Sequence, residues 1–205
     1  YIGSKNVPVS YERFGTGETV FAGRSKFSTA ESGTGRFYVQ PGAAGETAVV
    51  VFRDHAQFDG SHDGCFIGNC ADARAILRLE SDQQHRFFRY RLSVGDGDGY
   101  GELDITDGWA GCSARGIAVG SSATEGASPN FLEGRLAVSG GAFDTSATSP
   151  YTETTFQGFC VGVATQNGVE DRTRRPFLGT VELSGGVISN RNSYALIGAG
   201  AGRGV

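Results

Sequence analysis

Alternation of apolar and polar positions dominates this chain and predicts short strands along its length. Val7, Val9 and Tyr11 share one parity, and Thr19, Phe21, Gly23, Ser25 and Phe27 share one parity of the next run. Glycine-rich turns at 15–17 and 32–35 punctuate these runs, and a short strand at 36–39 stops at Pro41-Gly42. Residues 48–52 are apolar on both parities, as expected of a central strand buried on both faces. Phe88, Tyr90, Leu92 and Val94 alternate with Phe87, Arg89, Arg91 and Ser93, the strongest strand signal in the chain. After residues 95–99 the alternation resumes in Tyr100, Glu102 and Asp104 against Leu103 and Ile105, which reads as a hairpin with a glycine-rich tip. Residues 71–79 fit a helical period and a strand period equally, so a short helix or a strand is expected there.

Two look-alike blocks, 116–141 and 158–188, organise the second half. One opens Gly116-Ile117-Ala118-Val119-Gly120 and the other Gly158-Phe159-Cys160-Val161-Gly162. Each continues with an apolar residue, a glycine two positions on and a closing apolar-Ser pair: Leu132, Gly134, Val138-Ser139 in one and Phe177, Gly179, Leu183-Ser184 in the other. A fainter copy sits at 21–28. A two-strand unit cannot bury its apolar face alone, so the copies must pair with each other or with the first half. Two and a half diverged copies read as too few for a solenoid. The expectation is one all-β domain over 1–205, an antiparallel sandwich or barrel with internally duplicated two-strand units and a short helix at most.

Composition narrows the function classes. A chain of 205 residues buries a core unaided, and its 33 glycines follow no collagen-like period. A formal net charge of −4 argues against general nucleic-acid binding, and no apolar run approaches the ~20 residues of a membrane span. The chain starts at Tyr1 and has no methionine, which reads as a processed terminus and, with four cysteines, as a secreted or extracellular-surface protein. The expected disulfides are Cys65–Cys70 across a small loop and Cys112–Cys160 between the repeat blocks, among the three connectivities that four cysteines allow. Zinc is the rival reading of these cysteines, but their spacing is not C-x2-C.

Asp96, Asp98, Asp104 and Asp107 fall at carboxylate positions of a calcium-loop pattern with Gly101 at its sixth place. Tyr100 at the fifth place and the strand-like flanks count against it, and a Gly/Asp turn explains the same residues. Calcium is the one cofactor the residues suggest. His55, Asp59, His62 and Asp63 crowd one polar segment without a recognised ligand spacing. No Gly-x-Ser-x-Gly elbow occurs, and no carboxylate pair stands out for glycoside hydrolysis. Trp109, Phe87 and Phe88 read as core residues before they read as a carbohydrate platform. The function expected is therefore a secreted, non-enzymatic structural subunit that self-associates into a filament, pilus-like fibre, shell or coat. Residues 1–9 and 194–205 are the expected strand exchangers. The alternative is an extracellular ligand-binding β module, a calcium-dependent lectin or a small-molecule barrel, with carbohydrate as a further partner class.

Overall fold

A computed structural model describes residues 11–28, 36–60, 64–68, 70–87, 91–95, 99–112, 116–120, 132–145, 158–163, 165–166, 169–170, 177–190, 195–199 and 203–205. The chain winds as a solenoid whose coils each contribute a strand to sheets A, B and C in turn. The first coil holds β1 (Tyr11–Phe14), β2 (Gly17–Phe21) and β3 (Lys26–Ser28); the second, β4 (Arg36–Val39), β5 (Thr47–Asp54) and β6 (Gln57–Asp59). The third holds β7 (Gly64–Ile67), β8 (Arg74–Ser81) and β9 (Gln84–Phe87), and the fourth β10 (Arg91–Val94), β11 (Tyr100–Ile105) and β12 (Trp109–Cys112). Next come β13 (Gly116–Val119), β14 (Leu132–Val138) and β15 (Ala142–Thr145), then β16 (Gly158–Val163) with a small hairpin β17 (Thr165–Gln166) and β18 (Val169–Glu170). That coil closes with β19 (Phe177–Leu183) and β20 (Val187–Asn190), and β21 (Ala195–Ala199) and β22 (Arg203–Gly204) begin the last one described.

Sheet A is ordered β1-β4-β7-β10-β13-β16-β21, sheet B β2-β5-β8-β11-β14-β19-β22, and sheet C β20-β15-β12-β9-β6-β3. Every pairing within these three sheets is parallel; among the described residues only β17 and β18 pair antiparallel. The fold is all-β as the alternation implies, but the antiparallel sandwich or barrel is overturned. Alternation reports which face a side chain takes; it carries no information about which strand lies alongside or in which direction. The chain passes from sheet A to sheet B between β10 and β11, which form no hairpin, since β10 pairs with β7 and β13 while β11 pairs with β8 and β14. Likewise β13 and β14 do not pair with each other: β13 bonds β16, and β14 bonds β19. The repeat blocks are two successive coils of a solenoid, whose earlier coils have diverged in sequence while keeping the register. Residues 71–79 enter strand β8, not a helix.

The core is a set of side-chain ladders running along the axis. In sheet A, Val39, Ile67, Val94, Val119 and Val161 are register partners in series and all are buried. Sheet B contributes Phe52, Leu79, Ile105 and Val138, and sheet C contributes Phe27, Phe58, His85, Ala110 and Phe143. Phenylalanine fills the early coils, with Phe21 stacked on Phe52 at 4.6 Å and Phe27 on Phe58 at 5.9 Å, the ring planes tilted by 9° and 7°. Identical rings one coil apart meet in offset stacks because parallel strands repeat the same side-chain direction. In β5 the expectation of burial on both faces is half met: Ala48, Val50 and Phe52 face the core, while Val51 is buried on the outer face and Val49 is half-buried there.

Glycine explains why the last blocks looked alike. At the A–B corner Gly68, Gly95, Gly120, Gly162 and Gly198 all take positive φ, between 56° and 95°. Against them, at the inward start of sheet B, stacks the ladder Ala48, Ala75, Gly101, Gly134, Gly179 and Gly204. A Cβ on Gly134 would lie 2.0 Å from the Val94 carbonyl oxygen and 2.1 Å from the Gly120 nitrogen. The chain turns this corner with backbone against backbone, so only hydrogen fits. Gly134→Ala is expected to lower unfolding free energy by roughly 2–4 kcal/mol. Gly15→Ala, where a Cβ meets nothing within 4 Å, should stay within about 0.5 kcal/mol. Urea unfolding of the two variants checks the contrast.

Candidate functional site

The outer face of sheet B carries the densest charge in the described structure. Strand alternation puts Tyr100, Glu102 and Asp104 of β11 outward, between Arg74 and Arg78 of β8 on one side and Arg135 of β14 on the other. Parallel register makes this ladder: Glu102 is the partner of both Ile76 and Arg135, and Asp104 of both Arg78 and Ala137. Glu102 is 5% exposed, and its carboxylate accepts from Arg74 Nη2 at 2.7 Å, from the Tyr100 hydroxyl at 2.8 Å and from Arg135 Nη1. The Arg74 guanidinium also lies over the Tyr100 ring, 4.6 Å from its centre. Arg135 reaches Asp104 at 3.2 Å and Glu182 of β19 at 2.8 Å, so one guanidinium bridges three carboxylates on the two coils flanking its own.

These contacts split the acidities of the two carboxyls. Burial works to raise Glu102, but hydrogen bonds from Arg74 and Tyr100 and the Arg135 charge outweigh it, leaving Glu102 below its usual range. Asp104 is pushed up to about 6, by burial first and then by the negative charge of Glu102, to which it is hydrogen-bonded. The pair therefore holds one proton, on Asp104, over a window where both would ordinarily be ionised. Burial and the bond to Glu102 also push the Tyr100 phenol up, so it stays a neutral donor. The cluster thus fastens four successive coils together.

Beside this cluster an open cleft of about 290 Å³ follows the A–B corner. Its lining comes from four successive coils: Gly45, Glu46 and Thr47; Asp72, Ala73 and Arg74; Gly99 and Tyr100; and Glu133. Backbone bonds from Gly45 to Asp72, Arg74 to Glu46, Tyr100 to Ala73 and Glu133 to Gly99 knit its floor. Glu46 accepts from Ala43 and Thr16, and the Thr16 bond holds its carboxyl below the usual range.

The residues singled out from the sequence scatter. Of the four aspartates assigned to calcium, Asp104 sits in the ion-pair cluster and Asp107 lies beyond the end of β11, accepting from the Gly108 amide at 2.7 Å; Asp96 and Asp98 lie outside the described residues. Among the described residues no group of three or more His, Cys, Asp or Glu side chains is placed to hold a metal. His55 pairs with Asp82 at 2.8 Å, Asp59 pairs with Lys26, and His62 and Asp63 fall outside the described residues.

The disulfide expectation is not supported: no described cysteines stand at disulfide distance. Cys65 points into the core from sheet A, and Cys70 lies past Gly68 on the corner. The backbone of Cys112 runs in sheet C between Phe87 and Thr145, whereas Cys160 lies in sheet A on the face opposite the core ladder. A bridge needs Cα atoms within about 7 Å and converging Cβ vectors, which opposite faces and separate sheets deny. Phe87 is in the core, as expected, and Trp109 is half-buried, its ring lying over Gly111.

Sequence reasoning missed the Glu102 cluster because its members are 74, 78, 100, 102, 104, 135 and 182, and only the coil register brings them together. It also missed His85, an inward imidazole in the phenylalanine ladder. Its Nδ1 accepts from the Phe58 amide at 3.2 Å, its Nε2 has no partner among the described residues, and burial lowers its pKa to about 4. Compared with known proteins, the chain matches no family model, no curated protein and no solved structure.

Two titrations test this picture. Asp104 is raised above its unfolded value of ~3.9, so its stabilising contribution is complete below that pH and is lost as pH rises through about 6. Asp104→Asn is expected to remove that decline, read from melting temperature against pH. His85 is lowered, so its contribution is present above the unfolded value of ~6.5 and is lost as pH falls toward about 4. Its ring resonances should keep neutral-imidazole shifts until the pH approaches 4, followed by NMR.

Proposed function

We propose that this chain is a non-enzymatic structural subunit, secreted or displayed on an outer surface, that assembles end to end by stacking its coils on those of another copy. The observation that supports this reading is the one-way parallel stacking of the coils, in which each described coil receives the next in the same register. Leu183 and Ile197 extend the inward ladders of Val138 and Val161, yet they are 55% and 64% exposed. Val187 and Val205 are exposed at the same end. Among the described strands none lies beyond β20, β21 or β22 in their sheets.

Two features favour a second copy as the occupant. The strands β20 and β21, Val-Ile-Ser-Asn and Ala-Leu-Ile-Gly-Ala, contain no charge and no proline, the devices that usually keep a sheet edge single. Every strand of the three sheets runs in one direction, so the first coil of another copy continues the ladders after a shift along the axis. There it would present Phe14 and Phe21, which are half-buried against the core cluster. Such head-to-tail contacts are heterologous and build open filaments rather than closed dimers. No helix among the described residues is long and apolar enough to cross a membrane.

Sedimentation velocity across a concentration series, with negative-stain imaging, tests the reading. The parent chain is expected to form end-to-end chains that lengthen with concentration. Ile197→Lys combined with Leu183→Glu should return it to monomer with the coil spectrum intact. A parent that stays monomeric at high concentration sinks the proposal.

A further inference from the structure

We propose that the A–B corner cleft is a binding site for a linear, uncharged oligosaccharide. This goes beyond the assembly reading and does not depend on it. The cleft crosses four coils, and at a strand spacing of ~4.8 Å it runs roughly 14 Å along the axis, the reach of an extended ligand of a few ring units. Its floor is built from Gly45, Ala73 and Gly99, which lets a ligand approach the backbone closely. The absence of side chains there is enforced at one end, because a Cβ on Gly99 would lie 2.1 Å from the Cys70 carbonyl oxygen.

The lining chooses among ligand chemistries. One wall is the Arg74 guanidinium stacked on the Tyr100 ring, both fixed by Glu102, which makes a flat, pre-organised surface with donors at its edge. Glu46, Asp72 and Glu133 place carboxylate acceptors on three different coils, and Thr47 adds a hydroxyl. Acceptors spaced along a groove suit a ligand that offers hydroxyl donors all along its length. An anionic chain is disfavoured, since the one cation among the described lining residues, Arg74, already faces Glu102. A compact metal ion is disfavoured because the carboxylates are distributed rather than convergent, and Glu46 is engaged by Thr16 and Ala43. An apolar ligand would strand these polar groups without partners.

Isothermal titration of the full chain tests this, with neutral hexaoses as probes: cellohexaose, xylohexaose, laminarihexaose, maltohexaose and mannohexaose. Hexagalacturonate and hexalysine serve as charged comparators. At least one neutral hexaose is expected to bind saturably. Thr47→Trp, which fills the cleft from an exposed position, and Glu133→Ala, which removes an acceptor, should each raise Kd by about tenfold or more. Gln84→Ala, on sheet C, should leave Kd unchanged. The proposal is overturned if no neutral hexaose binds, if binding ignores both cleft variants, or if hexalysine alone binds in a cleft-dependent way. Because Thr47→Trp leaves the last coil untouched, losing saccharide binding while assembly persists separates this site from the end-to-end contact.

Discussion

Everything in this molecule follows from one steric condition: at the corner between sheets A and B, the backbone of one coil touches the backbone of the next. Gly95 approaches Glu133 and Gly134, Gly120 approaches Leu178 and Gly179, and Gly179 approaches the Val119 carbonyl, always with space for hydrogen alone. That contact sets how sharply the chain turns out of sheet A. It therefore sets the phase in which sheet B begins, and so which residues of β11, β14 and β19 face inward. A side chain forced into this corner would displace a whole coil, since parallel ladders above and below share its register. In the second and third coils alanine takes the glycine position of the same ladder, at Ala48 and Ala75.

The sequence shows the consequences of this condition more clearly than the condition itself. Faces were legible: Leu92 and Val94, Leu103 and Ile105, and Leu136 and Val138 all point inward as their alternation implies. The glycine positions of the two late blocks were legible as a repeat. Partners and directions were not, because an inward Val94 looks the same whether its neighbour runs up or down. The first coils also hide the period: their core is phenylalanine where the later ones use leucine and valine, and Gln40 follows the inward Val39 at the register position where the other sheet A strands carry glycine. Nothing local announced the Glu102 cluster either. Arg135 and Glu102 are 33 residues apart in the chain and meet only because two coils are stacked.

That cluster and the core solve the same problem differently. Inside, ladders of similar apolar residues stack because parallel register brings like onto like, which costs nothing for phenylalanine or valine. Outside, like onto like would put equal charges about 5 Å apart, an arrangement that sheets disfavour. The outer face of sheet B avoids it by changing sign from coil to coil, Arg78 beside Asp104 and Glu102 beside Arg135. Where two acids do fall together on the same strand, at Glu102 and Asp104, burial and the neighbouring charge push Asp104 up. The pair of buried Thr145 and exposed Asn190 is the neutral version of the same device, joined side chain to side chain at 2.8 Å in sheet C.

The turns between sheets B and C are all short, from Phe21 to Lys26 in the first coil to Leu183 to Val187 in the sixth. The other two corners vary freely: Gly120 to Leu132 and Val163 to Phe177 span far more chain than Gly95 to Tyr100 does. Because closing a longer excursion costs only a logarithmic increment of entropy, extra sequence there leaves the ladders untouched. The architecture thus divides the polypeptide into a conserved-geometry spine and two margins open to insertion. New surface chemistry can be written into those margins without renegotiating the interior.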